Sequence, residues 1–220
     1  MIKRLIFDID GTLITGIDFK VFVKNALQKF NIYSEQNVEK FLFAIKKYES
    51  YFDHYSKSDY LDFFSSELNT NLNDDFLRIF FDELKFAVPK ENDELLRILE
   101  ELSTKYELVL LSNYFQESQM NRLNNMRIGH LFTEYHGEKI TKPNRQAYYN
   151  ACGNNKPSEC IMIGDDPILD IEGAKNNGLH TIFINPKRII FPNSIHLESV
   201  KCLNDKIIYE SLENSPDQES

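Results

Sequence analysis

The sequence predicts an α/β fold, with a parallel sheet covered by helices on both faces and a helical insertion after its first strand. A short apolar run ends in two aspartates, Asp8 and Asp10, and a Gly-Thr turn, which is typical of a buried strand. Residues 18–84 then show helical periodicity without a strand, and strands alternate with helices in the rest of the chain. Because the first strand is too short to fold alone, the helical block is an insertion into the sheet domain.

Composition and charge narrow the class of function. The chain of 220 residues is 42% hydrophobic with a net charge of −9, which is typical of a globular protein and argues against a nucleic-acid or anionic membrane partner. No apolar stretch is long enough for a membrane span or a signal peptide. Cys152, Cys160 and Cys202 form no C-x-x-C motif and are expected to be reduced thiols. We therefore expect a cytoplasmic protein, as a monomer or weak homodimer.

Four amphipathic helices are predicted in the insertion. The first begins after Asp18, the second covers about residues 34–48, the third begins at Ser58 or Asp59, and the fourth begins near Asp74. Their apolar faces are rich in Phe and Tyr, which indicates a helical bundle with an aromatic core. The segment between the second and third helices packs in this core or, less favoured, lines a substrate pocket with Tyr51, Phe52, His54, Tyr55 and Lys57.

The alternation of helices and strands begins after Pro89. Helices are predicted after Asn92, over residues 116–126 and 144–152, and before Gly178, and strands over residues 107–111, 130–136, 160–163 and 180–184. We assign residues 1–16 and 88–212 to the sheet domain and residues 17–87 to the insertion. The polar tail, residues 213–220, is expected to be disordered.

Chemically active side chains follow the ends of several predicted strands. They are Asp8 and Asp10, Ser112, Lys142, and the acidic run Asp165, Asp166 and Asp170. In a parallel sheet these ends share one edge, and alternation points Asp8 and Asp10 the same way. Two close carboxylates need a proton or a cation, and Mg²⁺ prefers carboxylate oxygens. Together with a hydroxyl and an ammonium group, the set predicts a site for phosphoryl transfer.

These motifs resemble the haloacid dehalogenase-like (HAD) superfamily, in its phosphatase branch with a helical C1-type cap, similar to phosphoglycolate phosphatases. The resemblance covers roughly residues 3–200 and rests on the motifs Asp8-Ile9-Asp10-Gly11-Thr12, Leu110-Leu111-Ser112-Asn113, Lys142-Pro143 and Gly164-Asp165-Asp166-Pro167-Ile168-Leu169-Asp170. It implies a Rossmann-like core and a cap, residues 17–87, above the site. Asn144-Arg145 departs from the family pattern, which has a second proline there.

The resemblance implies a catalytic role for five of these residues. Asp8 would be the nucleophile that forms an aspartyl-phosphate, and Asp10 would be general acid to the leaving alcohol and then general base to water. Ser112 and the backbone N–H of Asn113 would bind the phosphoryl oxygens. Lys142 would stabilise their charge, although a solvated loop lysine is the ordinary alternative for this residue.

The resemblance also implies a Mg²⁺ site. Its ligands would be Asp8, the backbone carbonyl of Asp10, and Asp165. Either Asp166 or Asp170 would hold a metal-bound water or orient the lysine, and the sequence does not decide between them.

The expected function is Mg²⁺-dependent hydrolysis of a small phosphorylated metabolite. A phosphomutase of the same family uses the same residues and remains an alternative. A non-catalytic phosphate-binding or phospho-accepting module is less favoured, because receiver-like domains need no such insertion and Asp10 favours turnover. Asp10 also argues against carbon–halogen cleavage, since the dehalogenases of the family lack an aspartate there.

Overall fold

The computed structural model describes residues 1–186 and 194–213. Its sheet has six parallel strands in the order β3-β2-β1-β4-β5-β6. The strands are β1 (Arg4–Phe7), β2 (Glu107–Leu111), β3 (Glu134–His136), β4 (Cys160–Gly164), β5 (His180–Ile184) and β6 (Ile195–Leu197). The chain runs outward from β1 in both directions, so the strand order reverses there, and open α/β sheets bind ligands at such a point.

Helices lie on both faces of the sheet and in the insertion. The insertion contains α1 (Phe19–Lys29), α2 (Glu35–Tyr51), α3 (Lys57–Leu68) and α4 (Asp74–Leu84). The sheet domain contains α5 (Asp93–Ser103), α6 (Gln116–Asn125), α7 (Arg145–Cys152), a π-helix (Pro167–Glu172), α8 (Gly173–Lys175) and α9 (Asp205–Glu213). Three short 3-10 turns cover Gly129–Leu131, Pro157–Glu159 and Val200–Cys202. The predicted α/β fold with a helical insertion is confirmed.

The central strands are buried on both faces because their side chains alternate between two apolar layers. Leu5, Phe7 and Leu110 pack with residues of α5, α6 and α9 on one face. Ile6 and Val109 pack with residues of α7 and α8 on the other face. The sheet is therefore the middle layer of a three-layer core.

The insertion has an aromatic core of its own, as predicted. The ring of Phe41 in α2 lies 4.6 Å from that of Phe64, 5.1 Å from Phe80 and 5.9 Å from Phe76, measured between ring centroids. Phe115, at the start of α6, is buried in the same cluster. The neighbouring Tyr114 packs against this cluster as well, so the sheet domain contributes two aromatic rings to the packing of the cap.

Two linkers join the cap to the sheet domain. In the first, the amide of Gly11 donates to the carbonyl of Ile14 at 2.8 Å, which closes a tight loop directly after β1. In the second, residues 85–92, Ala87 is buried in the cap core while Val88 packs against the sheet core. The domain limits at 16/17 and 87/88 stay predictions, but apolar packing does change sides between Ala87 and Val88.

Some element boundaries differ from the predictions. Helix α3 begins after Ser56, not after Ser58 or Asp59, because the Ser56 hydroxyl accepts the amide of Asp59 at 3.4 Å. The strand predicted over residues 130–136 is shorter, since the amide of Leu131 bonds back to a carbonyl in a 3-10 turn. Strand β6 and helix α9 extend the fold beyond the last predicted strand.

Two further sequence predictions concern the chain's end and its relation to membranes. The tail predicted to be disordered lies outside the described residues, except for Glu213, which ends α9. Within residues 1–186 and 194–213, no helix combines the length and apolar character that crossing a bilayer requires.

The aromatic core of the cap provides a test of its packing. Phe41 is fully buried, whereas Phe43, two residues along the same helix, is 66% exposed. We expect Phe41→Ala to lower the free energy of unfolding by about 3–5 kcal/mol, because it removes a buried ring and leaves a cavity. Phe43→Ala should change it by less than about 0.5 kcal/mol. Urea unfolding followed by circular dichroism measures both, and equal losses would contradict this packing.

Candidate active site

A cavity of about 1310 Å³ lies between the carboxyl ends of the strands and the cap. Every site residue predicted from the sequence lines it: Asp8, Asp10, Ser112, Asn113, Lys142, Asp165, Asp166 and Asp170. These residues are far apart in sequence, and the shared edge of the parallel sheet brings them together.

Lys142 lies at the centre of the site, between two carboxylates. Its Nζ donates to Oδ1 of Asp8 at 2.8 Å and to Oδ1 of Asp170 at 2.6 Å. The lysine side chain is only 3% exposed, so it is not a solvated loop residue. Burial opposes its charge, but Asp170 and Asp8 outweigh burial and raise the pKa of Lys142 above its ordinary value. Lys142 therefore stays charged next to the carboxylate predicted to be the nucleophile.

Asn113 fixes the backbone of Lys142. Its side-chain amide donates to the carbonyl of Lys142 at 2.8 Å, and its side-chain oxygen accepts the amide of Lys142 at 2.8 Å. This reciprocal pair joins the end of β2 to the loop that carries the lysine. The family resemblance implies a role only for the backbone N–H of Asn113, and the binding of phosphate by that group stays a prediction.

The structure separates the roles of Asp166 and Asp170. Asp170 is 1% exposed and contacts Lys142, while its Oδ2 accepts the backbone amide of Asp166 at 3.0 Å. The Asp166 side chain instead caps the π-helix, accepting the amides of Ile168 and Leu169 at 2.8 Å each. Asp170 is thus the residue that orients the lysine.

Three carboxylates converge beside the lysine. Asp8, Asp165 and Asp170 each offer an oxygen within 4.8 Å of the others. Burial, with the charges of Asp170 and Asp165, raises the pKa of Asp8 well above its ordinary value despite the opposing effect of Lys142. Burial and then the charge of Asp170 raise the pKa of Asp165 to about 6. One ammonium does not balance three carboxylates, and the all-oxygen donor set fits a hard divalent cation.

Gly11 and Thr12 shape this cluster on the side of β1. Gly11 has φ +85°, and a Cβ there would lie 2.1 Å from Oδ2 of Asp165, so only glycine fits. The hydroxyl of Thr12 is 3.3 Å from Oδ1 of Asp165 and donates to it. The Gly-Thr turn therefore holds Asp165 as well as ending the strand.

The carboxylate of Asp10 lies outside the three-carboxylate cluster. It contacts Arg122 and Gln119 of α6, two residues that the sequence analysis did not single out. Gln119 and Arg122 are three positions apart on the helix that follows the second motif, so they lie on the same face of it. This spacing is the signal in the sequence that could have identified them.

Helix α2 forms the cap side of the cavity. Leu42, Ile45, Lys46 and Glu49 line it at helical spacing. The hydroxyl of Tyr55 donates to Glu49 at 3.2 Å. Loss of hydration raises the pKa of Glu49, and the negative charges of Asp10 and Asp166 raise it further.

Of the aromatic residues at the end of α2 and after it, Phe52 and Tyr55 pack in the cap core, which is the favoured interpretation of the sequence, whereas Tyr51 is 69% exposed. Tyr51, Phe52, His54 and Lys57 do not line the cavity, and Tyr55 reaches it only through Glu49. The rings of Phe52 and Tyr48 stack with their centroids 4.4 Å apart.

The fold and this site define a HAD-type hydrolase. The chain belongs to the haloacid dehalogenase-like hydrolase family, whose model matches residues 2–178. N-acylneuraminate-9-phosphatase of Mus musculus is 31% identical to it over 99 residues, or 42% of this chain and 40% of that protein. The aligned part of the chain thus spans less than half the length of this curated relative.

Two solved structures share the fold. A 2-haloacid dehalogenase from Pseudomonas syringae pv. tomato DC3000 superposes with a TM-score of 0.72 at 18% identity, covering 97% of this chain and 99% of that one. The HAD-hydrolase YfnB from Bacillus subtilis, bound to magnesium, superposes with a TM-score of 0.69 at 18% identity, covering 96% and 99%. At this identity the comparison establishes the architecture and not the reaction.

Binding of Mg²⁺ should depend on pH through Asp165. Since its pKa is raised to about 6, a proton competes with the cation below that pH. We expect the apparent Kd for Mg²⁺ to rise about tenfold for each pH unit below that point per proton displaced. Calorimetric titration between pH 5 and 8 measures this.

The matched variants are Asp165→Asn and Asp166→Asn. The first should abolish most binding, while the second, which can still cap its helix, should keep both the affinity and its pH dependence. A Kd that is the same at pH 5 and pH 7 would contradict a role for Asp165 as ligand.

Proposed function

We propose that this protein is a Mg²⁺-dependent phosphatase that hydrolyses a small phosphorylated metabolite through an aspartyl-phosphate. The observation that carries the proposal is the buried pairing of Lys142 with Asp8 and Asp170 at the floor of a cavity under the cap. The phosphatase named among the relatives supports the same reaction class. The cytoplasmic location and the monomeric or weakly dimeric state stay predictions.

In the first step, a carboxylate oxygen of Asp8 attacks phosphorus and the ester P–O bond breaks. The leaving alcohol takes its proton from Asp10, whose carboxyl group faces the cavity. Lys142, held by Asp170, balances the charge on Asp8 and on the phosphoryl oxygens. Ser112 and the backbone N–H of Asn113, at the end of β2, would bind the remaining oxygens.

In the second step, water attacks the phosphorus of the aspartyl-phosphate. Asp10 accepts the water proton, the bond between phosphorus and Asp8 breaks, and its electron pair returns to Asp8. Inorganic phosphate is then released and the carboxylate of Asp8 is regenerated.

A bound Mg²⁺, held by Asp8, Asp165 and the backbone carbonyl of Asp10, would supply positive charge to the phosphoryl oxygens. Asp170 lies beside these ligands and keeps Lys142 in place. The carboxylate of Asp10 is left for proton transfer, because its contacts are with α6 and not with the cluster.

The cap wall, which is the face of α2 that lines the cavity, suggests the kind of leaving group that the site accepts. Leu42 and Ile45 offer apolar contact, while Lys46 and Glu49 offer one charge of each sign on the same helix. Such a wall suits a small molecule with both apolar and polar groups, and closing it excludes water from the reacting phosphoryl group.

The nucleophile provides the direct test of the reaction. We expect Asp8→Asn to lower turnover of p-nitrophenyl phosphate in Mg²⁺ by at least about 10³-fold, because an amide does not form the phosphoenzyme. EDTA should abolish wild-type activity and Mg²⁺ should restore it. Asp75→Asn, an exposed change of equal charge on α4, is the matched control and should behave as wild type.

A panel of phosphorylated metabolites separates hydrolase from phosphomutase. Released phosphate supports the proposal, whereas an isomerised sugar phosphate without free phosphate would favour the mutase. Activity retained by Asp8→Asn, or in EDTA, would overturn the mechanism.

A further inference from the structure

Arg122 on α6 is buried, and all five of its N–H donors are used. Nη1 and Nη2 each contact one carboxylate oxygen of Asp10 at 2.8 Å. Nη1 also donates to the side-chain oxygen of Gln119 at 2.8 Å. Nε and Nη2 donate to the backbone carbonyl of Ala87 at 3.2 and 3.0 Å. With its side chain 3% exposed, the guanidinium is held in one orientation.

The carboxylate that Arg122 holds is half open to the cavity. The Asp10 side chain is 55% exposed, and its Oδ2 also accepts the side-chain amide of Gln119 at 2.8 Å. Both oxygens of Asp10 therefore have partners on the protein side, Oδ2 through hydrogen bonds and Oδ1 through the ion pair, while the group also lines the cavity. Once Asp10 has given its proton to the leaving alcohol, it is a carboxylate that only accepts hydrogen bonds, which is the form that takes a proton from water in the second step.

The anchor of Arg122 is the second linker of the cap. Helix α6 holds this linker at two further points, because Asn125 donates to the carbonyl of Lys85 at 2.9 Å and Asn92 donates to the carbonyl of Met126. The guanidinium of Arg122 is thus held by the carbonyl of Ala87 in the linker, and it holds the carboxylate of Asp10 in turn. In the part of the chain that the structure describes, Asp10 is the only carboxylate paired with Arg122.

We propose that Arg122 is a positioning residue, which holds Asp10 as general base for the water that hydrolyses the aspartyl-phosphate. This inference rests on the proposed function. A bidentate pair between a buried arginine and a carboxylate restricts orientation more than a single lysine contact does. Without it, the carboxylate of Asp10 would keep only its bond from Gln119. The water attack would then slow more than the attack of Asp8 on the substrate.

The test is the pre-steady-state kinetics of p-nitrophenyl phosphate in Mg²⁺. Its activated leaving group makes the first step fast, so slow hydrolysis of the phosphoenzyme appears as a burst of p-nitrophenol followed by a slower steady rate. We expect Arg122→Met to keep the burst rate within about threefold and to lower the steady rate about 10- to 100-fold. A purely structural role would lower the burst amplitude and the steady rate together.

Further variants keep the test decisive if Arg122→Met folds poorly. Arg122→Lys should recover part of the steady rate. Gln119→Met removes a bond to Asp10, one to Arg122 and a longer one to Ser112, and it should give a smaller loss of the same kind. Arg78→Met, the same change at an exposed arginine of α4, is the matched control and should leave both phases unchanged.

Two results would overturn the inference: equal loss of both phases in Arg122→Lys and Gln119→Met, or wild-type kinetics in both. Failure of the proposed function would look different, because the wild-type protein itself would then release neither p-nitrophenol nor phosphate.

Discussion

The site depends on one buried ammonium group. Lys142 donates to Asp8 and Asp170 with almost no contact with water, and a buried carboxylate is costly unless such a partner is present. The two carboxylates come from the end of β1 and from the π-helix after β4, while the lysine comes from a loop held by Asn113, which follows β2. The pairing therefore requires that these three segments meet at one edge, which a parallel sheet provides.

Close approach of backbone segments is the second requirement of this arrangement. A Cβ at Gly164 would lie 2.2 Å from the carboxyl carbon of Asp170, and one at Gly11 would collide with Asp165. Both glycines lie at strand ends, where the acidic side chains fold back over the chain. The glycines of the first and fourth motifs are thus explained by packing around the carboxylates, independently of any flexibility of the loop.

Short-range sequence patterns predicted which segments form this site, but not the side-chain contacts that orient its residues. The end of β1, the acidic run after β4 and the aromatic faces of the cap are visible because each is a short-range pattern of residue types. The pair of Arg122 with Asp10 spans 112 positions, and that of Asn113 with Lys142 spans 29. A polar residue on a predicted helix carries no sign of such a partner. The sequence analysis likewise predicts no strand at β6.

The two aspartates of the first motif have different partners, and this difference agrees with the different catalytic roles proposed for them. Asp8 is buried against an ammonium that also binds Asp170, so its position is tied to the charge balance of the cluster. Asp10, two residues later, has left the sheet and meets a guanidinium held by the carbonyl of Ala87 in the cap linker. That linker is where apolar packing passes from one core to the other. The proposed nucleophile thus lies at the end of a sheet strand, whereas the proposed proton-transfer group is tied through Arg122 to the joint between the two cores.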